Sequence, residues 1–193
     1  MIRPAVEEDV PEILSIYAPY VENTTITFEY DVPCHREFMQ RFLDITAQYP
    51  FLVWEEDGVI LGYAYASAPY TRAAYRWCAE PSVYLRPEAR GRGIGRRLYA
   101  VLEWILDKQG YQVLYALVTS ENTGSMRFHE KMGYVSRAVF PDCGFKFGRW
   151  LGVTWMEKRL KIVQSPSGFP ASWQAVVQDV KTFQNILDSL SLF

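Results

Sequence analysis

The residues best suited to chemistry lie between Arg86 and Arg97, where the chain runs Arg86-Pro87-Glu88-Ala89-Arg90-Gly91-Arg92-Gly93-Ile94-Gly95-Arg96-Arg97. Glycines at 91, 93 and 95 permit tight or left-handed backbone and let a ligand approach the main chain closely. An apolar run, Ser82-Val83-Tyr84-Leu85, precedes the loop and an amphipathic stretch follows it. A helix starting there turns its unspent N–H groups and positive dipole end back on the loop. Arginines at 86, 90, 92, 96 and 97 add forked donors suited to phosphate oxygens. Together these describe a pyrophosphate cradle. Glu80, on the mostly apolar run ahead of the loop, is the candidate base. Burial disfavours its charge, raises its pKa and brings it nearer the range for taking a proton from an ammonium. The competing expectation is a carboxylate paired with Arg72 or Arg76.

The charge balance limits what such a cradle binds. With 20 Lys and Arg against 22 Asp and Glu, the formal net charge is -2. That argues against a general nucleic-acid or membrane-surface binder and aims the arginine cluster at a small anion. A chain of 193 residues with 49% hydrophobic and 22% charged content suits one globular domain with a substantial core. Cys34, Cys78 and Cys143 are odd in number and far apart, there is no CxxC pair, and histidines number two. Neither a disulfide framework nor a metal site is expected. Glu7, Glu8 and Asp9 interrupt any signal-peptide core, and no apolar run is long enough to span a bilayer. A reducing cytoplasm is the expected location.

The elements that must position these residues follow from spacing. Met1 to Ala5 reads as a strand, and Asp9 as the cap of a helix with Pro11 in its first turn. Ile13, Leu14, Tyr17 and Val21 share one face of that helix. A second helix fits Arg36 to Gln48. Phe51 to Trp54, the turn Glu56-Asp57-Gly58, and Val59 to Ala66 read as a hairpin. Trp77 to Leu85 is a strand interrupted by Pro81, which places it at an edge or a bulge. Leu98, Val101, Leu102 and Ile105 give the helix after the glycine loop its core stripe, and Gly110 ends it. Tyr111 to Thr119 is a buried strand, and Asn122 caps a short helix ending at Gly133. Two last strands, Tyr134 to Phe140 and Trp150 to Lys158, flank a loop from Pro141 to Gly148. Beyond Leu160, Pro166, Gly168 and Pro170 form a linker. A helix follows, with Val176, Val177, Val180, Phe183, Leu187 and Leu190 on one side, placed to dock on the domain or a partner.

This order of elements resembles the GNAT acetyltransferases, whose RxxGxG signature for the acetyl-CoA pyrophosphate is matched by Arg90-Gly91-Arg92-Gly93-Ile94-Gly95. Four segments are similar to the phosphinothricin and methionine sulfoximine N-acetyltransferase branch. They are Thr27-Phe28-Glu29, the strand Trp77-Cys78-Ala79-Glu80-Pro81-Ser82-Val83-Tyr84, Phe128-His129-Glu130-Lys131-Met132-Gly133-Tyr134, and Gly144-Phe145-Lys146-Phe147-Gly148-Arg149-Trp150. The resemblance covers residues 1–160 as an acetyltransferase domain; 161–193, a linker plus helical extension, resembles nothing named. It implies an α/β (α+β) GNAT fold: a mixed, mostly antiparallel sheet of about seven strands flanked by helices, with splayed central strands.

The resemblance also implies roles. The pantetheine arm of acetyl-CoA would pair with the open backbone at Val83, Tyr84 and Leu85. The loop Arg90, Gly91, Arg92, Gly93, Ile94, Gly95 and Arg96 would take the pyrophosphate on backbone N–H groups. Asn122 and Ser125 would touch pantetheine from across the cleft, or serve only as helix caps. Glu80 matches a glutamate assigned as general base. His129 stands where many members carry a thiolate-protonating tyrosine, and its role stays open between acid, base and substrate contact. Phe28, Glu29, Arg72 and Tyr75 match acceptor-contacting positions, Arg72 as a carboxylate or phosphinate clamp. Lys146 and Arg149 fall at the interface or site rim of an expected homodimer.

The implied activity is acetyl-CoA-dependent N-acetylation of a small amino acid or analogue. Two alternatives stand beside it: a non-catalytic acyl-CoA-binding module, disfavoured by Glu80 and His129 together, and a protein N-terminal acetyltransferase, for which no peptide-reading segment is evident. A Rossmann dinucleotide binder fails, because the glycine loop lies late in the chain without an acidic ribose partner.

Overall fold

The computed structural model describes residues 1–161, 165–166, 168–177, 183, 185 and 188. Seven strands form one sheet: β1 (Ile2–Pro4), β2 (Phe51–Glu56), β3 (Val59–Ser67), β4 (Cys78–Leu85), β5 (Val113–Thr119), β6 (Val135–Lys146) and β7 (Arg149–Arg159). Their order is β1-β2-β3-β4-β5-β7-β6, and every neighbouring pair is antiparallel except β4 and β5. The helices are α1 (Val10–Asn23), α2 (His35–Thr46), α3 (Ile94–Gln109), α4 (Thr123–Lys131) and the short α5 (Trp173–Val176). Successive side chains on a strand face opposite ways, and the two cores divide accordingly. Tyr63 of β3 belongs to the core under α1 and α2, while Ala64 and Ala66 join the core around α3.

The same alternation sorts β4. Ala79, Val83 and Leu85 pack toward α3, while Tyr84 packs toward α1, against the rings of Tyr17, Tyr20 and Tyr63. Glu80 and Ser82, in step with Tyr84, therefore face α1 and α2. Pairing between β4 and β5 is confined to Cys78 with Val113 and Ala79 with Leu114. Beyond these the strands part and leave a gap through the sheet. Pro81 is not at a sheet edge, as its type suggests, but inside a central strand. It sits just past the last paired residue, so no neighbour asks for its missing N–H. The gap makes β4 an edge locally.

Other departures have equally local causes. Asp9 precedes α1 without capping it. Its carboxylate instead accepts two bonds from Arg3, at 2.6 and 2.9 Å, and one from the Val6 N–H at 2.9 Å. The stretch 141–148 is not a loop. β6 runs to Lys146 with residues 141–143 bulged out between the pairs Phe140–Val153 and Gly144–Leu151, and the turn falls at Phe147-Gly148, both at positive φ. Of the apolar side expected to dock on the domain or a partner, the described residues pack on the domain: Phe183 is buried, and Trp173, Val176 and Val177 pack against the α3 core. Val180, Leu187 and Leu190 of the predicted helix lie outside the described residues. No helix among the described residues is long and apolar enough to cross a membrane.

Candidate active site

The gap between β4 and β5 is lined by Glu80 to Tyr84, by Ala116 to Thr119, by Asn122, Ser125 and His129 from the start of α4 onward, and by Ile26 from the α1–α2 loop. The structure therefore brings together Glu80, Val83, Tyr84, Asn122, Ser125 and His129. Glu80 forms no ion pair among the described residues: Arg76 lies over the Phe169 ring instead, 4.7 Å from its centroid. Burial alone pushes the Glu80 carboxyl above its ordinary value.

Three backbone positions of β4 face the gap. The Arg86 N–H bonds back to Leu61 O on β3, so with the alternation of an antiparallel ladder Leu85, Val83 and Pro81 turn the other way. Leu85, expected to meet a ligand, is already engaged. Its N–H donates to the Tyr20 hydroxyl at 3.2 Å, and that hydroxyl donates to Leu85 O at 2.6 Å. At the inner end the Tyr99 hydroxyl donates to Pro81 O at 2.9 Å. Val83 is left between them, its N–H and carbonyl turned to the gap with no partner shown for them among the described residues. Tyr20 and Tyr99 thus bound the open edge, a role the sequence conceals because both look like ordinary stripe residues of α1 and α3.

His129 is buried, and Tyr99 explains why. Its Nδ1 lies 2.9 Å from Ser125 O and its Nε2 lies 2.9 Å from the Tyr99 hydroxyl. A carbonyl only accepts, so Nδ1 carries a hydrogen. The three links from Ser125 O to Pro81 O need three hydrogens, while a neutral imidazole and one hydroxyl supply two. Burial lowers the imidazole pKa and the Ser125 carbonyl partly offsets it. Both ring nitrogens lie against buried partners, and with a neutral ring the single Tyr99 hydrogen serves either Nε2 or Pro81 O. Asn122 is the α4 cap it was expected to be, its side chain accepting from Ser125 N at 3.1 Å.

The glycine loop is a backbone cradle, and most of its arginines are spoken for. Gly91 and Gly93 have φ of 76° and 79°, and a Cβ at either would meet open space. The first bond closing α3 is Arg97 N to Gly93 O, so the amides ahead of it lack helical acceptors. Arg92 makes two bonds to Glu56 at 2.9 and 2.7 Å, Arg86 bonds Ile60 O and Glu12, Arg90 bonds the Tyr20 hydroxyl at 3.1 Å, and Arg97 lies over Trp54. The groups left free to meet an anion are the backbone N–H groups at 92 to 96, with the exposed Arg96 beside them, and the expectation that they hold a pyrophosphate comes from the sequence resemblance. Gly93→Val tests this. A left-handed φ costs a branched residue on the order of 1–2 kcal/mol, and its Cβ enters the space above the amides. The dissociation constant for acetyl-CoA is expected to rise at least tenfold by calorimetry, with the KM for amine unchanged.

Another side of the gap is framed by the α1–α2 loop, through Ile26. Phe28 presses its ring on Gly144, where any Cβ would collide with it. Glu29 pairs with Arg41 through one oxygen; its Oε2 is buried without a hydrogen-bond partner among the described residues. Lys146 is not at an interface or rim. It is 2% exposed and donates to the carbonyls of Val21, Thr24 and Thr27 at 2.7, 2.9 and 2.9 Å. Arg149 is exposed and bonded twice to Glu121 at 2.6 Å, which holds that carboxyl down to about 2. Arg72 and Tyr75 sit on an exposed turn outside the gap lining, the Tyr75 ring packed at a tilt against Tyr70 with centroids 4.4 Å apart.

A sheet parted between two parallel central strands, with a glycine-built anion cradle at its mouth, defines an acyl-CoA-type transferase site, and the family description Acetyltransferase (GNAT) domain matches residues 2–155. The chain belongs to the GNAT acetyltransferase family. Within it, the chain is similar to a phosphinothricin N-acetyltransferase of Alcaligenes faecalis, 39% identical over 161 residues that cover 82% of each chain. It is also 35% identical over 167 residues to the L-methionine sulfoximine/L-methionine sulfone acetyltransferase of Pseudomonas aeruginosa, covering 85% of this chain and 96% of the relative. Among solved structures, a phosphinothricin acetyltransferase of Sinorhizobium meliloti in complex with acetyl-CoA matches with a TM-score of 0.81 and 35% identity, covering 89% of this chain and 92% of that one.

Proposed function

We propose that this chain transfers the acetyl group of acetyl-CoA to the amine of a small amino acid or analogue of the phosphinothricin, methionine sulfoximine or methionine sulfone type. The observation that carries this is the placement of Glu80. It lies in a gap that passes through the sheet and faces α1 and α2, while the cradle and α4 line the α3 side. Donor and acceptor thus enter from opposite faces and meet beside one uncompensated carboxylate.

The amides at 92, 93, 95 and 96 hold the pyrophosphate, and Val83 takes the pantetheine amide with its unspent N–H and carbonyl. Asn122 and Ser125 close the far wall. Glu80 takes a proton from the substrate ammonium, and the freed nitrogen attacks the thioester carbon. The C–S bond breaks, the attacking nitrogen gives up its remaining surplus proton as the departing thiolate takes one up to leave as coenzyme A thiol, and the product is the N-acetyl amine. His129 positions α4 against Pro81 rather than donating into the gap. Phe28 walls the acceptor pocket, the free Oε2 of Glu29 meets a substrate N–H, and Arg72 with Tyr75 receives the carboxylate or phosphinate end. Residues 1–160 form the catalytic domain, with Trp173, Val176, Val177 and Phe183 of the extension packed against it.

The protein is a cytoplasmic homodimer in this reading. Its three cysteines are unpaired, and the outer strand β6 exposes Val135, Val139 and Phe140, with Trp150 beside them. Sedimentation velocity reading a single monomer would remove the dimer. The activity itself is tested by acetyl-CoA consumption across amino acids, methionine sulfoximine, methionine sulfone and phosphinothricin. Turnover with at least one of the three analogues is expected. A folded protein that binds acetyl-CoA and consumes none of it with any amine is instead an acyl-CoA-binding module.

A further inference from the structure

The stretch 168–173 lies beyond the family match to residues 2–155, yet it touches Arg76 and Trp77, which directly follow the turn on which Arg72 and Tyr75 sit. Its anchors are helix ends, where carbonyls lack helical partners. Thr46 O, at the end of α2, accepts from Trp173 Nε1 and Gln174 Nε2, both at 2.8 Å. Gln109 O, at the end of α3, accepts from Ala171 N at 2.9 Å, and Gln109 Nε2 returns a bond to Ala171 O at 2.8 Å. From those two fixed points the leading residues reach the turn. Trp77 Nε1 donates to Gly168 O at 2.9 Å, the Phe169 ring packs on Trp77 with centroids 5.5 Å apart, and the Arg76 guanidinium lies over the Phe169 ring at 4.7 Å.

Arg76 and Trp77 join the exposed turn 72–75 to β4, three residues before Glu80. An exposed turn is a poor platform for a binding group unless a second layer fixes it. Here the Tyr70–Tyr75 ring contact supports one side, and Phe169, in contact with both Arg76 and Trp77, supports the base.

We propose that residues 168–173 are an internal strap that positions the 72–75 turn and thereby sets the preference among acceptor amines, with Phe169 as the positioning residue. The proposal rests on the reading that Arg72 and Tyr75 border the acceptor. A binding group displaced by a fraction of an ångström loses affinity for the ligand it meets and leaves a remote cradle untouched.

Steady-state kinetics of the full-length chain test it. Phe169→Ala is expected to raise the KM for amine about threefold or more, the scale of one lost cation–π contact, and to shift the ratio of kcat/KM between phosphinothricin and methionine sulfone. The KM for acetyl-CoA and kcat stay put. Phe169→Tyr restores the parent values, and Trp77→Phe, which removes the bond to Gly168 O and trims the ring Phe169 packs on, moves the amine KM in the same direction. Unchanged amine KM and selectivity in Phe169→Ala overturn the strap, as does a drop in kcat and rise in both KM values together. Arg72→Ala measured alongside separates the two ideas. If it raises the amine KM while Phe169→Ala does not, the strap falls and the acceptor site stands; if neither variant moves it, the acceptor placement falls as well.

Discussion

Glu80→Gln is expected to lower kcat by roughly 10²- to 10⁴-fold, the contribution of a positioned general base, with acetyl-CoA binding nearly intact. Glutamine keeps the shape and the faces of β4, and the donor contacts assigned to Val83 and the glycine loop lie on other groups. What it cannot do is take a proton. The pH dependence sharpens the test. In the parent, the rate rises with pH as Glu80 ionises, and burial sets the inflection above the ordinary carboxylate value of 4.5; the variant lacks that limb. Stability moves the opposite way. A carboxyl whose pKa is raised by folding holds its proton more tightly in the native state, so its contribution is present below 4.5 and lost as pH rises through the folded pKa. Glu80→Gln therefore melts higher than the parent near neutrality and gains nothing in acid. Unchanged kcat at saturating amine removes Glu80 as the base, and a fall in acetyl-CoA affinity equal to the fall in turnover places it in donor binding instead.

What the sequence discloses about this site is what neighbouring residues decide. The Asp57-Gly58 turn, the left-handed glycines at 91, 93 and 110, the Asn122 cap and the α3 stripe are set within a few residues of backbone geometry. Each is legible in its own short run of residues. Glu80 is legible for a related reason: a carboxylate in a mostly apolar strand is a candidate for burial, which raises its pKa. The rest depends on partners far along the chain. Arg92 looks like a phosphate ligand until Glu56, 36 residues away, takes both its bonds. Leu85 looks like an open edge until Tyr20, 65 residues away, fills it. The bulged β6 hides its register, because its pattern alternates around a lysine that is buried and a phenylalanine that is not. Polarity alone reads such a segment as a loop.

That lysine carries the second large expectation. Lys146 and its three carbonyl acceptors match in number: an ammonium has three N–H donors, a neutral amine two, so the socket at Val21, Thr24 and Thr27 favours the charged form even though burial pulls its pKa down. Two of those carbonyls close the end of α1 and the third lies one residue before Phe28. Lys146→Met removes all three bonds and leaves acceptors stranded under a loop, at a cost of roughly 2 kcal/mol or more, which for a chain of this length lowers the melting temperature by about 4 °C or more. Because the loop carries Phe28 and Glu29, the KM for amine rises with the loss of stability while the KM for acetyl-CoA holds. Gly144→Ala attacks the same loop from its other side, since the added Cβ displaces the Phe28 ring, and it is expected to raise the amine KM while Lys146 and its bonds remain. A lower melting temperature with amine kinetics unchanged in both variants reduces Lys146 to a staple of the fold. A rise in amine KM in both, measured well below their melting temperatures, makes this lysine and glycine pair the support on which the acceptor pocket is built.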